Sequence, residues 1–307
     1  DERNSLVGSE MCIRDRAGGM LAHDLVPALR AAGFGVTALT RAELDIAHVP
    51  HLHDLIRHPE APWDWIVNTA AYTAVDQAES EPMAAFRANA TGPGALAAWA
   101  RANGSRLLTL STDYVFDGQA TRPYGEDDPT DPQTVYGKTK RAGEENALRE
   151  DPRSVIVRTS WLFGRRGKCF PRTMLDRAES GQALRVVNDQ TGCPTATDDL
   201  AGGLVRLMQA DPDGGIYHLC GPEAMTWFDF AARIFHRAAA AIPTFSMPEL
   251  SPVASSEFPT PARRPAWSVL GMGRTDALGV TPLGDLDAAI DRFLADRNAK
   301  LNPPTND

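Results

Sequence analysis

No run of apolar residues in this chain approaches the roughly 20 that cross a bilayer, and no charged segment with an apolar core opens it. The reading is therefore of a cytoplasmic protein without a membrane span. Cysteine is scarce and scattered: the four, Cys12, Cys169, Cys193 and Cys220, form no CxxC pair. That supports neither a zinc site nor a disulfide framework, and no metal ligand is assigned. Clustered cations are missing too. With a net charge of -9 and no Lys/Arg cluster beyond a pair or so, the chain lacks the broad positive surface that nucleic acid needs, and an anionic ligand would require a local pocket of Arg or Lys. What remains, 43% hydrophobic and 23% charged over 307 residues, is ordinary globular usage. It is enough for one large domain, or a domain with a smaller lobe.

Short apolar, β-branched runs alternate with Ala/Leu-rich segments of helical period, the pattern of parallel strands joined by crossover helices. Expected strands are Gly35 to Leu39, Trp65 to Asn68, Arg106 to Ser111 and Ser154 to Thr159. Expected helices are Leu21 to Ala32, Val49 to Arg57, Glu81 to Asn103, Tyr136 to Arg149, Thr197 to Gln209, Thr226 to Ala240 and Asp287 to Arg297. The fold class is α/β, a Rossmann-type doubly wound parallel sheet with a smaller C-terminal substrate-binding lobe. Residues 17–160 are assigned to the sheet domain. Residues 161–299 are assigned mostly to the lobe, with segments returning to the sheet, and 300–307 to a frayed tail.

Two constellations carry chemistry. The first is a Gly-rich turn at Gly18 and Gly19 that feeds a helix, where backbone N–H groups can approach a pyrophosphate. At the end of the next strand stand Thr40 and Arg41 in place of an acidic residue, and Arg there suits a ribose 2′-phosphate, hence NADP over NAD. A solvated loop Arg is the alternative, and NADH stays open. The second is "LSTDYVFDG" (Leu110 to Gly118) followed by "VYGKTKRAGEE" (Val135 to Glu145). Tyr136 and Lys140, four apart on a helix, share one face, and a nearby ammonium is expected to lower the Tyr pKa toward working pH, making it a proton donor to an alkoxide. Thr112, at a strand's carboxyl end, can hydrogen-bond the same oxygen.

Longer motifs surround these residues: "LTRAELDI" (Leu39 to Ile46), "NTAAYTAVDQAESEP" (Asn68 to Pro82), "RTSWLFG" (Arg158 to Gly164), "VVNDQTGCPT" (Val186 to Thr195), "GIYHLCG" and "FPTPARRP" (Phe258 to Pro265). Together they resemble the dTDP-4-dehydrorhamnose reductase family of extended short-chain dehydrogenases/reductases, from about Ala17 almost to the end. The resemblance implies NADPH-dependent reduction of the C4 ketone of dTDP-4-dehydro-L-rhamnose to dTDP-L-rhamnose. It gives Tyr136 the proton-donor role, and Lys140 the tasks of lowering its pKa and holding the nicotinamide ribose. Thr112 and Asp113 would contact the sugar, against whose ring Trp161 would pack. Gly19, Met20 and Leu21 match the pyrophosphate turn, Thr40 and Arg41 the adenosine end, Asp45 and Ile46 the adenine edge, and Ala71, Tyr72 and Thr73 the strand end beside the cofactor. Arg263 and Arg264 are candidates for the substrate's phosphates, or else form an ordinary ion pair under a loop. Some family members use Mg2+ at a dimer contact; no ligand set for it maps here, and a homodimer is left open.

The opening of the chain departs from the pattern. "NSLVGSEMCIRD" resembles translated sequencing adapter, so residues 1–16 are read as non-native and as having overwritten the first strand, whose place would bury Arg14, Asp15 and Arg16. Two rival functions are weighed. The same fold serves as a non-catalytic, NADP-binding regulatory subunit of methionine adenosyltransferase, but the Thr112, Tyr136 and Lys140 set favours an enzyme. A sugar-nucleotide dehydratase or epimerase is the nearer rival, yet Tyr114 stands where dehydratases carry Glu.

Overall fold

The computed structural model describes residues 10–14, 19–48 and 63–301. Six parallel strands form the central sheet: β1 (Glu10–Arg14), β2 (Gly35–Leu39), β3 (Trp65–Asn68), β4 (Arg106–Thr112), β5 (Val155–Thr159) and a last strand at Gly215–His218, in the order last, β5, β4, β3, β1, β2. The chain runs from β1 outward to β2, then returns to place β3 on the other side of β1. The sheet therefore changes direction at β1 and β3, whose carboxyl ends form the crevice in which open α/β sheets bind ligands. The first strand is present as backbone: Met11 to Arg14 pair with Trp65 to Asn68 on one side, and Glu10 to Arg14 with Gly35 to Leu39 on the other. The position expected to be overwritten is thus occupied in register by Glu10–Arg14. Asp15 and Arg16 lie outside the described residues, as does the helix expected over Val49 to Arg57.

Helices cover both sheet faces. On one, α1 (Met20–Ala31) packs beside a helix at Thr197–Gln209, burying Leu25, Leu29, Leu200, Leu204 and Leu207 against Val67, Leu108 and Val157. On the other, Gly92–Ala102 and the helix at Val135–Glu150, the Tyr136 helix below, bury Leu96, Trp99 and Ala147 against Ile66, Leu107 and Ile156. The long helix expected over Glu81 to Asn103 is helical but not uniform: α-helix at Pro82–Phe86, a π-helical turn at Arg87–Thr91, then α-helix again. Pro93 has no N–H to give the carbonyl of Asn89, one turn before it, and the helix widens there.

A second core lies apart from the sheet. Phe163, from a short strand at Leu162–Phe163, closes on Leu175, Phe230, Ile234, Phe235, Ile290 and Phe293, drawn from helices at Phe170–Glu179, Trp227–Ala241 and Leu286–Leu301. Thr226 caps the middle helix, exchanging hydrogen bonds with Asp229. The strands of this region are two to four residues long. A smaller cluster gathers Phe116, from the turn after β4, with Tyr124, Cys193, Cys220 and Leu270. No helix among the described residues is long and apolar enough to cross a membrane.

Candidate active site

Strand β4 is buried on both faces until it ends at Thr112, where the chain tightens into a 3-10 turn at Asp113–Val115. The Thr112 hydroxyl donates to Asp113 Oδ1 at 2.9 Å and accepts from the Tyr114 N–H at 3.3 Å. The Tyr136 helix starts behind this turn, capped by Thr134, whose Oγ1 accepts from the Gly137 N–H at 3.0 Å. Its approach is close because Gly137 has no side chain: a Cβ there would lie 2.2 Å from the Tyr114 carbonyl oxygen. Tyr136 is thereby brought against β4, where its phenol lies beside the Thr112 hydroxyl. Its ring meets Tyr114 edge-on at 5.7 Å.

Thr112, Asp113, Tyr136 and Lys140 thus come together as the sequence predicts. One electrostatic expectation is reversed. Burial pushes Tyr136 up to about 12, with the Asp113 charge adding to it and the Thr112 hydrogen bond opposing it. Lys140 does not hold the phenol down: its Nζ donates to the Leu110 carbonyl at 2.6 Å, and burial lowers its own pKa to about 8 against the opposing pull of Glu144. Burial also raises Asp113 to about 6, with the Ser268 and Thr112 hydroxyls pulling the other way.

Trp161 follows β5 in the left-handed backbone region, φ 45°. Its indole stacks on Trp227 with ring centroids 3.4 Å apart and planes within 2°. Gly192 makes room for it, since a Cβ there would lie 2.4 Å from the indole. Trp227 and Gly192 escaped the sequence reading because nothing in their local pattern announces a contact with Trp161. Arg264 is committed to a carboxylate: it grips Asp76 with both Nη atoms, at 3.0 and 2.6 Å, and donates to Thr260 Oγ1 at 2.7 Å. Of the two arginines proposed for phosphates, Arg264 is thus the ion-paired one, while Arg263 is exposed.

At the cofactor end, Gly19 is the N-cap of α1, the helix start is capped by no side chain, and its first turn holds no acidic residue. Those features suit an anion. Met20 packs under the loop after β5, near Gly164 and Gly167, whereas Leu21 is buried in the sheet core. Thr40 and Glu43 close a tight turn, the Thr40 N–H donating to Glu43 Oε2 at 2.6 Å. Arg41 projects from it, 63% exposed and 3.2 Å from Asp45 Oδ2. The Ile46 side chain points into the core against Gly92. Ala71 and Tyr72 are half-buried and Thr73 is exposed. Asn89 holds this strand end in place, accepting from the Tyr72 N–H at 2.8 Å and donating to its carbonyl at 3.1 Å. Among the described residues no group of three or more His, Cys, Asp or Glu could hold a metal ion.

A family profile described as RmlD substrate binding domain matches residues 16–299. The chain belongs to that family. Its relatives include a dTDP-4-dehydrorhamnose reductase of Streptomyces griseus, 44% identical over 89% of this chain and 90% of the relative. A probable dTDP-4,6-dihydroxy-2-methyloxan-3-one 4-ketoreductase of Streptomyces antibioticus is 40% identical over 94% of this chain and 96% of the relative. Among solved structures, dTDP-4-dehydrorhamnose reductase of Bacillus anthracis strain Ames in complex with NADP superposes with a TM-score of 0.86 at 31% identity, covering 93% of this chain and 99% of that one.

Proposed function

We propose that this chain reduces the C4 ketone of dTDP-4-dehydro-L-rhamnose to dTDP-L-rhamnose with NADPH. The observation that carries the reading is the placing of the Tyr136 phenol beside Thr112 at the carboxyl end of β4, with Lys140 one helical turn on. Membership of a family whose relatives include ketoreductases of dTDP-sugars supports the substrate class.

When bound, NADPH supplies the hydride that adds to the C4 carbonyl carbon. The uncapped start of α1 receives its pyrophosphate, and Arg41 its 2′-phosphate. Lys140, anchored on Leu110, holds the nicotinamide ribose. Tyr136 gives its phenolic proton to the carbonyl oxygen, and Thr112 turns its one hydroxyl hydrogen from Asp113 Oδ1 to that oxygen as negative charge develops on it. A phenol near 12 suits this task, because it keeps its proton throughout the working range and an alkoxide is a stronger base still. Asp113 orients Thr112 and meets the sugar, Trp161 offers the sugar an apolar surface, and Arg263 is the exposed cation left for the substrate's diphosphate.

The direct test is NADPH oxidation with dTDP-4-dehydro-L-rhamnose, followed by identification of the product. Formation of dTDP-L-rhamnose with one NADPH consumed per sugar is expected. NADPH binding without turnover would overturn the enzymatic reading in favour of a binding role. Formation of a dehydrated or epimerised sugar would overturn the assignment to ketone reduction.

A further inference from the structure

The chemistry above leaves idle several residues of the motifs that surround it. Glu144 closes "VYGKTKRAGE", Arg158 opens "RTSWLFG", His218 stands in "GIYHLCG", and Ser111 precedes Thr112 in "LSTDYVFDG". The fold gathers them into one buried cluster a helical turn beyond Lys140. Arg158 Nε donates to Glu144 Oε1 at 2.8 Å and Nη2 to Oε2 at 2.7 Å, while Ser111 Oγ donates to Oε1 at 2.6 Å. Glu144 is 1% exposed and Arg158 2%. The remaining Nη1 lies 3.4 Å from His218 Nε2, and His218 Nδ1 donates to the Gly271 carbonyl at 2.9 Å.

Two features separate this cluster from an ordinary buried ion pair. Tyr136, Lys140 and Glu144 follow one another at steps of four along one helix face, and they meet the last three residues of β4: Lys140 Nζ donates to the Leu110 carbonyl, Glu144 accepts from the Ser111 hydroxyl, and the Tyr136 phenol lies beside Thr112. A slip of the helix along the strand would break both hydrogen bonds and part the phenol from Thr112. In addition, a buried ion pair stabilises a fold weakly, because desolvating both ions offsets their attraction. What it does supply is a fixed carboxylate one turn from a buried ammonium. We propose that Glu144, locked by Arg158 and Ser111, is a positioning residue that acts through Lys140, keeping its ammonium charged and holding the helix in the register that joins Tyr136 to Thr112.

This inference rests on the reading of Tyr136 and Lys140 as the reacting pair. Burial and the Glu144 charge are what act on Lys140. The other titratable groups on its own helix and on the elements packed against that helix include Tyr136, Lys138, Arg141 and Glu145, then Asp113 and Tyr114 after β4, Arg87 in the π-helical turn, Arg101 in the helix at Gly92–Ala102 and Asp76 in the short helix at Val75–Ala78. Arg158, and through it His218, adjoins Glu144. Burial first, then the Arg158 charge, pushes His218 down to about 3, so it stays neutral and adds no step to an alkaline profile.

The test reads Lys140 directly. The chain has four lysines, so their labelled ε-carbons can be titrated by NMR, with Lys140→Met assigning the signal, alongside the pH dependence of NADPH affinity and of kcat/KM. Glu144→Gln is expected to move the Lys140 titration, and with it the alkaline loss of NADPH binding and turnover, about one pH unit lower. Arg158→Met, which leaves the Glu144 charge unopposed, is expected to move both higher. The Glu144→Gln/Arg158→Met pair buries no unpartnered charge and keeps the test open if a single variant fails to fold; its Lys140 must still titrate below that of the unmodified protein. Glu144→Gln and paired variants that lose stability but leave the Lys140 titration and the alkaline limb in place would overturn the proposal and reduce the cluster to a structural one. Because NADPH affinity and the NMR titration need no sugar, failure of this inference is distinguishable from a wrong substrate assignment.

Discussion

Tyr136 keeps its proton because its surroundings disfavour a phenolate; on the proposed reading that is the proton a nascent alkoxide takes. Tyr136→Phe removes the proposed donor while leaving the ring packed against Tyr114. It should lower kcat by about a hundredfold or more with NADPH affinity unchanged, measured by steady-state turnover and cofactor titration. Asp113 shows the cost of such a site. Its folded pKa is about 6, against an ordinary 3.8, so the folded state binds more protons than the unfolded one between those values. Stability from this group is present below about pH 4, is lost as pH rises toward 6, and stays lower by about 3 kcal/mol above it. Asp113→Asn should therefore raise the melting temperature at about pH 8, change it little at about pH 4, and depress turnover; thermal melts at the two pH values together with activity assays check all three.

At the scale of elements, the Tyr136 helix docks where its neighbour is irregular. Pro93 leaves the Asn89 carbonyl without its usual helical partner, and Gly143 packs against that oxygen so closely that a Cβ would lie 2.0 Å from it. Asn146 Nδ2 donates to the next carbonyl, Ala90, at 3.1 Å, and Asn89 Nδ2 reaches Thr139 Oγ1, also at 3.1 Å. The widened turn thus has its polar groups met by the helix it supports. Gly143→Ala cannot be absorbed by a flexible side chain, since the obstacle is backbone. A loss of about 1–3 kcal/mol is expected, read from the urea midpoint, with a fall in kcat as the helix is pushed off Thr112.

Across the whole molecule, the cofactor helix is tied to the second core through Asp24. That side chain, 6% exposed, accepts from Arg165 Nη2 at 2.7 Å and from Thr197 Oγ1 at 2.6 Å. It joins α1, the loop after β5 and the helix that returns to the sheet. Arg165 is 40% exposed, so water screens part of the ion pair, whereas the Thr197 hydroxyl would be left buried without its acceptor. Asp24→Ala should cost about 1–3 kcal/mol in denaturant unfolding. Arg264 and Asp76 make a comparable tie, joining the turn after β3 to a segment 188 residues later.

The sequence by itself determined what repeats over a few residues. The strands Gly35–Leu39 and Trp65–Asn68, the helix Thr197–Gln209 and the shared face of Tyr136 and Lys140 all follow from local periods of two or 3.6. The two-residue strands of the second core were too short to leave such a trace. Tertiary structure alone decided which charges meet and which are taken out of water. That Arg264 grips Asp76, that Trp161 stacks on Trp227, that Glu144 and Arg158 close on each other and that Tyr136 rises rather than falls in pKa are through-space outcomes. Solvation and Coulomb energy depend on the groups gathered from distant segments, and no spacing along the chain encodes them.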